Sequence, residues 1–203
     1  MKSRSLLVTL IVLGAIGVFI VGMALWAMGV YNSLVTLDEG VTSAWSQVEN
    51  QYQRRADLIP NLVATVKGYA AQEREVLEAV TEARARVGQL TVTSEVLENP
   101  ELFAKFQAAQ DEFSSALSRL LVVTENYPQL RSNENFLALQ DQLEGTENRI
   151  AVERRRFNEV TQGYNTAIRK FPGSVVAGFV GFRERAYFSG TPGSDKVPSV
   201  SFE

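Results

Sequence analysis

Residues 6–30 limit the fold of this chain more than any other feature, because they are almost wholly apolar and no charged residue stands between Arg4 and Asp38. As a helix, this run would be ~37 Å long, which exceeds the ~30 Å hydrocarbon core of a bilayer. A cleaved signal peptide is the alternative, but its apolar region typically has only ~7–15 residues. We therefore predict a transmembrane anchor over residues 1–31 that contacts lipid through residues 6–30.

The residues that flank the apolar run predict its orientation. Trp26 and Tyr31 stand towards its C-terminal end, where membrane-spanning helices commonly carry aromatic residues. Lys2 and Arg4 precede the run, whereas acidic residues come first after it. Because positively charged flanks tend to stay in the cytoplasm, we predict a cytoplasmic N-terminus and an extracytoplasmic location for the chain after Tyr31.

The composition excludes several classes of site. The chain has no cysteine and no histidine, so it has no disulfide, no thiolate zinc site and no catalytic histidine base. The di-iron site of helical bundles, which requires histidine, is excluded as well. A formal net charge of -3 does not favour a nucleic acid as a partner. We predict a non-enzymatic protein without a cofactor or a bound metal.

Beyond the anchor, apolar residues recur at three- and four-residue steps, a spacing typical of amphipathic helices. The clearest pattern is a coiled-coil-like row of residues spaced by seven: Phe136, Leu143, Ile150, Phe157, Tyr164 and Phe171. No segment alternates in the manner of a β-strand. We therefore predict an all-α protein in which this row lies in the core together with Phe113 and Leu117.

Glycine, proline and asparagine divide this region into four helices. Gly68 and Pro128 mark turns, and Asn99 is a predicted N-cap with Pro100 at the first helical position. The predicted helices are 32–67, 72–87, 100–125 and 133–171. Because the first and last would be ~54 and ~58 Å long, they can run side by side. These lengths predict an up-down-up-down antiparallel four-helix bundle with long first and last helices over residues 32–172.

The chain after the bundle divides into two parts. Residues 173–188 contain the apolar stretch VVAGFVGF (175–182), which is too short to cross a bilayer. We predict that this segment docks near the membrane, and a position at the lipid interface is the alternative. Residues 189–203 are polar and rich in proline and glycine, which predicts a disordered tail.

Two segments should meet at the tip of the predicted bundle. Pro60 should kink the first helix, and the turns at Gly68 and Pro128 should lie at the same end. Polar residues around the kink and these turns form the candidate partner or anion surface: Arg54, Arg55, Asp57, Asn61, Tyr69, Tyr127, Arg131 and Asn133. Two arginines at a kink could hold a phosphate or carboxylate through paired hydrogen bonds.

The charged residues also allow a purely structural interpretation. Arg54 and Arg55 could neutralise carboxylates of the tip, such as Glu73. Glu147 is expected to form a structural ion pair with Arg54 or Arg55, or with an arginine of its own helix such as Arg149, rather than to act as a catalytic acid.

Two long stretches carry a family resemblance. The stretch YNSLVTLDEGVTSAWSQVENQYQRRADLIPNLVATVKGYAAQE (31–73) resembles the first half of the LemA family signature. The stretch LLVVTENYPQLRSNENFLALQDQLEGTENRIAVERRRFNEVTQGYNTAIRKFPG (120–173) resembles its second half. The resemblance extends over residues 31–188 and implies a bacterial protein with an N-terminal membrane helix and a helical bundle. The family is sometimes described with its short N-terminus outside the cell, whereas the charges here favour the reverse.

These observations lead to two functional expectations. The first is a non-catalytic scaffold or interaction protein with a single span in the bacterial inner (cytoplasmic) membrane and its bundle on the extracytoplasmic side. Its partner would be an unknown envelope protein or a second copy of the chain. The alternative is a sensor or carrier that binds a small anionic ligand between helices near Arg54 and Arg55. A ligand-sized pocket beside these arginines would favour the alternative.

Overall fold

The computed structural model describes residues 2–90 and 94–190, and every regular element in these ranges is an α-helix. The predicted all-α class is therefore confirmed. In chain order the helices are α1 (Lys2–Tyr69), α2 (Arg74–Gln89), α3 (Ser94–Glu98), α4 (Pro100–Thr124), α5 (Pro128–Arg131), α6 (Glu134–Arg169) and α7 (Gly173–Val180). The short helices α3 and α5 lie where the sequence predicted connecting segments, and α7 lies within the predicted docking segment, residues 173–188.

The described chain forms two compact units. The first unit contains the residues up to Ser43 together with Gln162–Glu184. The second contains Ala44–Thr161 together with the residues from Arg185 onwards. Helices α2 to α5 therefore belong wholly to the second unit, and α7 belongs to the first.

Helix α1 contains the whole apolar run, residues 6–30, and continues without interruption to Tyr69. Within the described ranges, it is the one helix long and apolar enough to cross a membrane. Every side chain from Leu10 to Trp26 is exposed, and an apolar surface of this extent is typical of contact with lipid. Pro60 lies inside the helix, and the kink expected there stays a prediction.

The core of the second unit combines side chains from α1, α2, α4, α5 and α6. Residues far apart in the sequence pack in one apolar cluster: Ile59, Leu62, Val66, Leu77, Val80, Phe113, Leu117, Leu120, Leu130, Phe136 and Leu143. Phe113 is 0% exposed and Leu117 is 3% exposed, which confirms their predicted place in the core. Removal of this apolar surface from water is the main favourable contribution to folding.

The row of residues spaced by seven, which begins at Phe136 in α6, is buried at all but its last position. The buried members are Phe136, Leu143, Ile150, Phe157 and Tyr164, as predicted. Phe171 is 77% exposed, so its predicted place in the core is wrong. The reason is that α6 ends at Arg169, before the row reaches Phe171. Pro172 contributes to this end, because the residue before a proline disfavours helical geometry.

Asparagine side chains begin two of the long helices. Oδ1 of Asn99 accepts hydrogen bonds from the amides of Glu101 at 3.0 Å and Leu102 at 3.2 Å. The helix that it caps starts with a proline, so both parts of the predicted N-terminus are confirmed. Oδ1 of Asn133 accepts a hydrogen bond from the amide of Phe136 at 3.0 Å at the start of α6. Such caps satisfy amides that have no partner within the helix.

Glycine fixes helix α7 at both ends. A Cβ atom at Gly173 would collide with the backbone carbonyl oxygen of Ala167, so only glycine fits where α7 meets the end of α6. At the other end, Gly181 has a φ of 90°, which favours glycine because side chains are disfavoured in the left-handed region. The amide of Gly181 donates a hydrogen bond to the carbonyl of Ala177 at 2.8 Å.

The second unit also contains a segment without regular secondary structure that follows α7. The amide of Ala186 donates a hydrogen bond to the carbonyl of Leu97 at 3.0 Å. The side chain of Asn158 bonds both the amide and the carbonyl of Phe188, each at 2.9 Å. The backbone is therefore fixed on either side of the Phe188 ring. Beyond Gly190, the disordered tail predicted over 189–203 lies outside the described residues.

The ring of Phe188 completes an aromatic cluster in the second unit. Its centroid lies 5.9 Å from the Trp45 ring, 4.8 Å from Phe103 and 5.5 Å from Phe157. All four side chains are at most 6% exposed. Aromatic pairs at these separations add to the stability that apolar burial provides.

Candidate functional site

The turns that follow α1 and α4 lie side by side. The hydroxyl of Tyr127 donates a hydrogen bond to Oε1 of Glu73 at 2.6 Å and accepts one from Nε2 of Gln72 at 2.9 Å. Nδ2 of Asn133 donates a hydrogen bond to the hydroxyl of Tyr69 at 3.0 Å. These bonds join residues that are more than fifty positions apart, and they confirm the prediction that the two turns meet.

We call the surface around these bonds the tip surface; it comprises Tyr69, Gln72, Glu73, Tyr127, Arg131 and Asn133. Tyr69 is 41% exposed, and Arg131 is exposed as well. The hydrogen bond to the Glu73 carboxylate raises the pKa of Tyr127, so this hydroxyl remains a donor. The polar groups are therefore ordered before any partner binds, which lowers the entropic cost of association.

A small cavity adjoins the tip surface. It has a volume of about 280 Å³, and Arg131 and Glu125 contribute to its wall together with the apolar side chains of Leu121 and Phe136. Val122, at the same cavity, is 63% exposed. Small-molecule sites usually have volumes of ~300–1,000 Å³. The cavity therefore lies at the small end of this range.

Arg55 lies in the interior of the second unit and is only 1% exposed. Its Nη1 donates hydrogen bonds to Oγ of Ser114 at 2.7 Å and to Oε1 of Glu147 at 2.8 Å. Its Nη2 donates to Oε1 of Gln110 at 2.5 Å and more weakly to the Gln110 carbonyl at 3.4 Å. The guanidinium also lies 4.9 Å from the centroid of the Phe113 ring. We call this set the arginine network.

The arginine network confirms the predicted structural ion pair of Glu147, with Arg55 as its partner. Both terminal nitrogens of Arg55 are bonded to residues of α4 and α6. The two terminal nitrogens of Arg55, which could donate paired hydrogen bonds to a phosphate or carboxylate, therefore already have partners within the protein. The structure thus places Arg55 away from any surface on which a partner could contact it.

The other polar residues of this stretch of α1 face outwards. Arg54, Asp57 and Asn61 are all exposed. Asp57 accepts a hydrogen bond from Nε2 of Gln53 at 2.8 Å. Asn61 borders a shallow cavity of about 420 Å³ between α1 and α6. The eight predicted surface residues therefore occupy three places: the interior, the outer side of α1 and the tip surface.

Sequence reasoning missed the residues of α4 that complete the arginine network. Gln110, whose Oε1 accepts a hydrogen bond from Arg55, is only 2% exposed. Gln110 comes four residues after Phe106 and three before Phe113, so these side chains share one face of the helix. The position of the polar Gln110 within an apolar row was therefore the available signal for a buried hydrogen-bond partner of Arg55.

Tyr52, beside the arginine network, should make stability depend on alkaline pH. It is 5% exposed, and its hydroxyl has no hydrogen-bond partner within the described ranges. Burial raises the pKa of Tyr52 to about 12, whereas the unfolded chain keeps a pKa of ~10. Its protonated form therefore contributes stability that is complete below about pH 10 and is lost as the pH rises towards 12.

We expect Tyr52→Phe to remove much of this alkaline loss. At neutral pH the variant should match the parent or exceed it by up to ~1 kcal/mol in free energy of unfolding, because no hydrogen bond is lost. Urea titrations at neutral pH and at about pH 11 would measure both effects. An identical alkaline loss in parent and variant would contradict the prediction.

Comparisons with known proteins place this chain among named relatives. The model of the family described as LemA family matches residues 44–202. Relatives include the magnetosome proteins MamQ 1 and MamQ 2 of Paramagnetospirillum magneticum and the magnetosome protein MamQ of Magnetospirillum gryphiswaldense. Each is 29% identical over 181 residues, which cover 81% of this chain and 66% of the relative. The chain thus spans slightly less than two thirds of the length of these curated relatives.

Proposed function

The chain belongs to the LemA family, and on that premise we propose that it is a membrane-anchored, non-catalytic interaction module whose tip surface binds another protein. The observation that carries the proposal is the ordered hydrogen-bonding of exposed and half-buried tyrosine, amide and carboxylate groups where the two turns meet. Tyrosine and arginine are among the residues that most often dominate the energy of protein interfaces. Tyr69, Tyr127 and Arg131 provide both types here.

The proposed module is an up-down-up-down bundle formed by α1 beyond the anchor, α2, α4 and α6. The apolar core that these helices share supports this arrangement. We place the bundle on the extracytoplasmic side of the bacterial inner membrane, because Lys2 and Arg4 precede the span.

We propose a structural role rather than catalysis. The relatives are named as magnetosome proteins. Within the described ranges, no group of three acidic side chains lies close enough to hold a metal ion. Both terminal nitrogens of Arg55 are already bonded within the protein, which argues against the alternative of an anionic ligand held by Arg55. We propose an envelope protein as the partner, with a second copy of the chain as a further candidate.

A single cysteine at Ser132 would test this proposal, because the chain has no cysteine of its own. Ser132 is exposed between Arg131 and Asn133. A membrane-impermeant maleimide that carries a photoactivated crosslinker should label it in cells whose outer barrier is opened. Illumination should then capture a defined partner. Labelling only after lysis of the inner membrane would overturn the proposed side of the membrane.

The double substitution Tyr69→Ala and Arg131→Ala should abolish this capture while the melting temperature stays close to the parent's, because both side chains are exposed. Arg156→Ala serves as the matched control, because Arg156 is an exposed arginine of α6 outside the tip surface. It should leave capture unchanged. Equal capture by the double variant and the parent would refute the tip surface as a binding site.

A further inference from the structure

Helix α7 presents large apolar side chains outwards. Phe179 is 89% exposed and Val175 is 47% exposed; they are four residues apart and share one face of the helix. Phe171, four residues further back, is 77% exposed. With eight residues, α7 is only ~12 Å long and cannot cross a bilayer.

Aromatic contacts fix both ends of α7 to the part of α1 where the apolar run ends. The ring of Phe171 lies 6.3 Å from that of Trp26, and the ring of Phe182 lies 6.1 Å from that of Tyr31. Trp26 is 47% exposed and Tyr31 is 40% exposed. Tryptophan and tyrosine at the end of a membrane span are typical of the level of the lipid headgroups. These contacts therefore hold α7 at that level.

The groove between α1 and the start of α7 has the character of a lipid contact. It has a volume of about 510 Å³ and is lined mainly by apolar groups, including Trp26, Val30, Phe171 and Pro172. Lys170 is the single charged residue among the lining residues. An apolar groove with one cation at its rim suits an acyl chain whose phosphate lies near the ammonium group.

Basic residues flank α7 on both sides. Arg169 and Lys170 precede it, and Arg183 follows it; all three are exposed. Arg169 forms a long ion pair with Glu184, 3.6 Å between Nε and Oε1. Cations beside an exposed apolar segment are typical of helices that lie in the membrane interface.

We propose that α7 lies in the interface of the same bilayer that α1 crosses. Phe171, Val175 and Phe179 insert between the acyl chains close to the headgroups, and Lys170 and Arg183 contact lipid phosphates. The apolar surface of the anchor thus continues, through the contact between Trp26 and Phe171, onto α7. The inference depends on the membrane anchor and not on the binding role of the tip surface.

Single cysteines labelled with an environment-sensitive fluorophore would test the position of α7 in the full chain. The protein is reconstituted into vesicles of phosphatidylcholine and phosphatidylglycerol that contain lipids with a doxyl quencher either near the headgroup or deep in the acyl chain. Labels at Phe179→Cys and Val175→Cys should be quenched several-fold more by the shallow quencher than by the deep one. A label at Phe19→Cys, within the apolar run, should show the reverse.

Val152→Cys is the matched control, because Val152 is also an apolar residue with its side chain exposed, at 55%. Its label should respond to aqueous iodide and to neither lipid quencher. If the α7 labels respond to iodide as Val152 does, α7 lies in water and the proposal fails. If they respond to neither iodide nor lipid quenchers, a protein surface covers α7, and the proposal fails as well. Lipid quenching at Val152 would instead refute the proposed function, since the bundle would then lie in the membrane.

Discussion

Replacing Phe157 with alanine should lower the free energy of unfolding by ~3–5 kcal/mol, the range found for aromatic truncations in protein cores. Phe157 is 0% exposed, and its ring packs against Trp45 at 5.5 Å and Phe103 at 6.1 Å. The truncation would remove these ring contacts and leave a cavity among rigid neighbours, which relax little. Urea titration of the full chain in detergent, followed by circular dichroism, would measure the loss.

Val152→Ala provides the control on the same helix. Val152 is 55% exposed, and surface substitutions of this kind usually change stability by less than ~0.5 kcal/mol. Similar losses of unfolding free energy for both variants would show that the α6 residues spaced by seven do not form the core.

Replacing Glu147 with alanine should lower the free energy of unfolding by ~3 kcal/mol, the lower end of the range for a broken buried ion pair. The variant would leave the Arg55 charge, 1% exposed, without its carboxylate. The expected loss stays at the lower end because Glu147 itself is 39% exposed, so water can replace part of the interaction. The same urea titration would detect it.

Two variants would separate the charge effect from simple loss of a contact. Glu112→Ala removes the partner of Arg86, a pair with a 3.0 Å separation in which both side chains are more than half exposed. This variant should lose less than ~1 kcal/mol in free energy of unfolding, because exposed ion pairs contribute little to stability. Arg55→Met combined with Glu147→Met should be more stable than Glu147→Ala, because no unpaired charge remains. A double variant less stable than Glu147→Ala would contradict this explanation.

The fold could be predicted where a local pattern determines it. The seven-residue spacing identified five buried positions of α6, and the Asn99–Pro100 pair identified the start of α4. The pattern failed at Phe171 because spacing alone does not show where a helix ends. Phe188 could not be predicted as a core residue, since it lies in a segment without regular secondary structure and its partners come from distant parts of the chain.

The candidate site could be predicted only in part. The meeting of the turns followed from helix lengths and turn residues. Arg54 and Arg55 are the same residue type, and only helix phase distinguishes them. Arg55 comes three residues after Tyr52 and four before Ile59, so it shares their buried face. The general tendency of arginine to stay at the surface argued against that position, and its partners on α4 and α6 overcome this tendency.

The position of Phe188 has a consequence for how the protein is made. The residues of α2, α4 and α6 are translated before Phe188, which contacts Trp45, Phe103 and Phe157 in the folded chain. The second unit therefore cannot complete its aromatic cluster until residues that come after α7 have been translated.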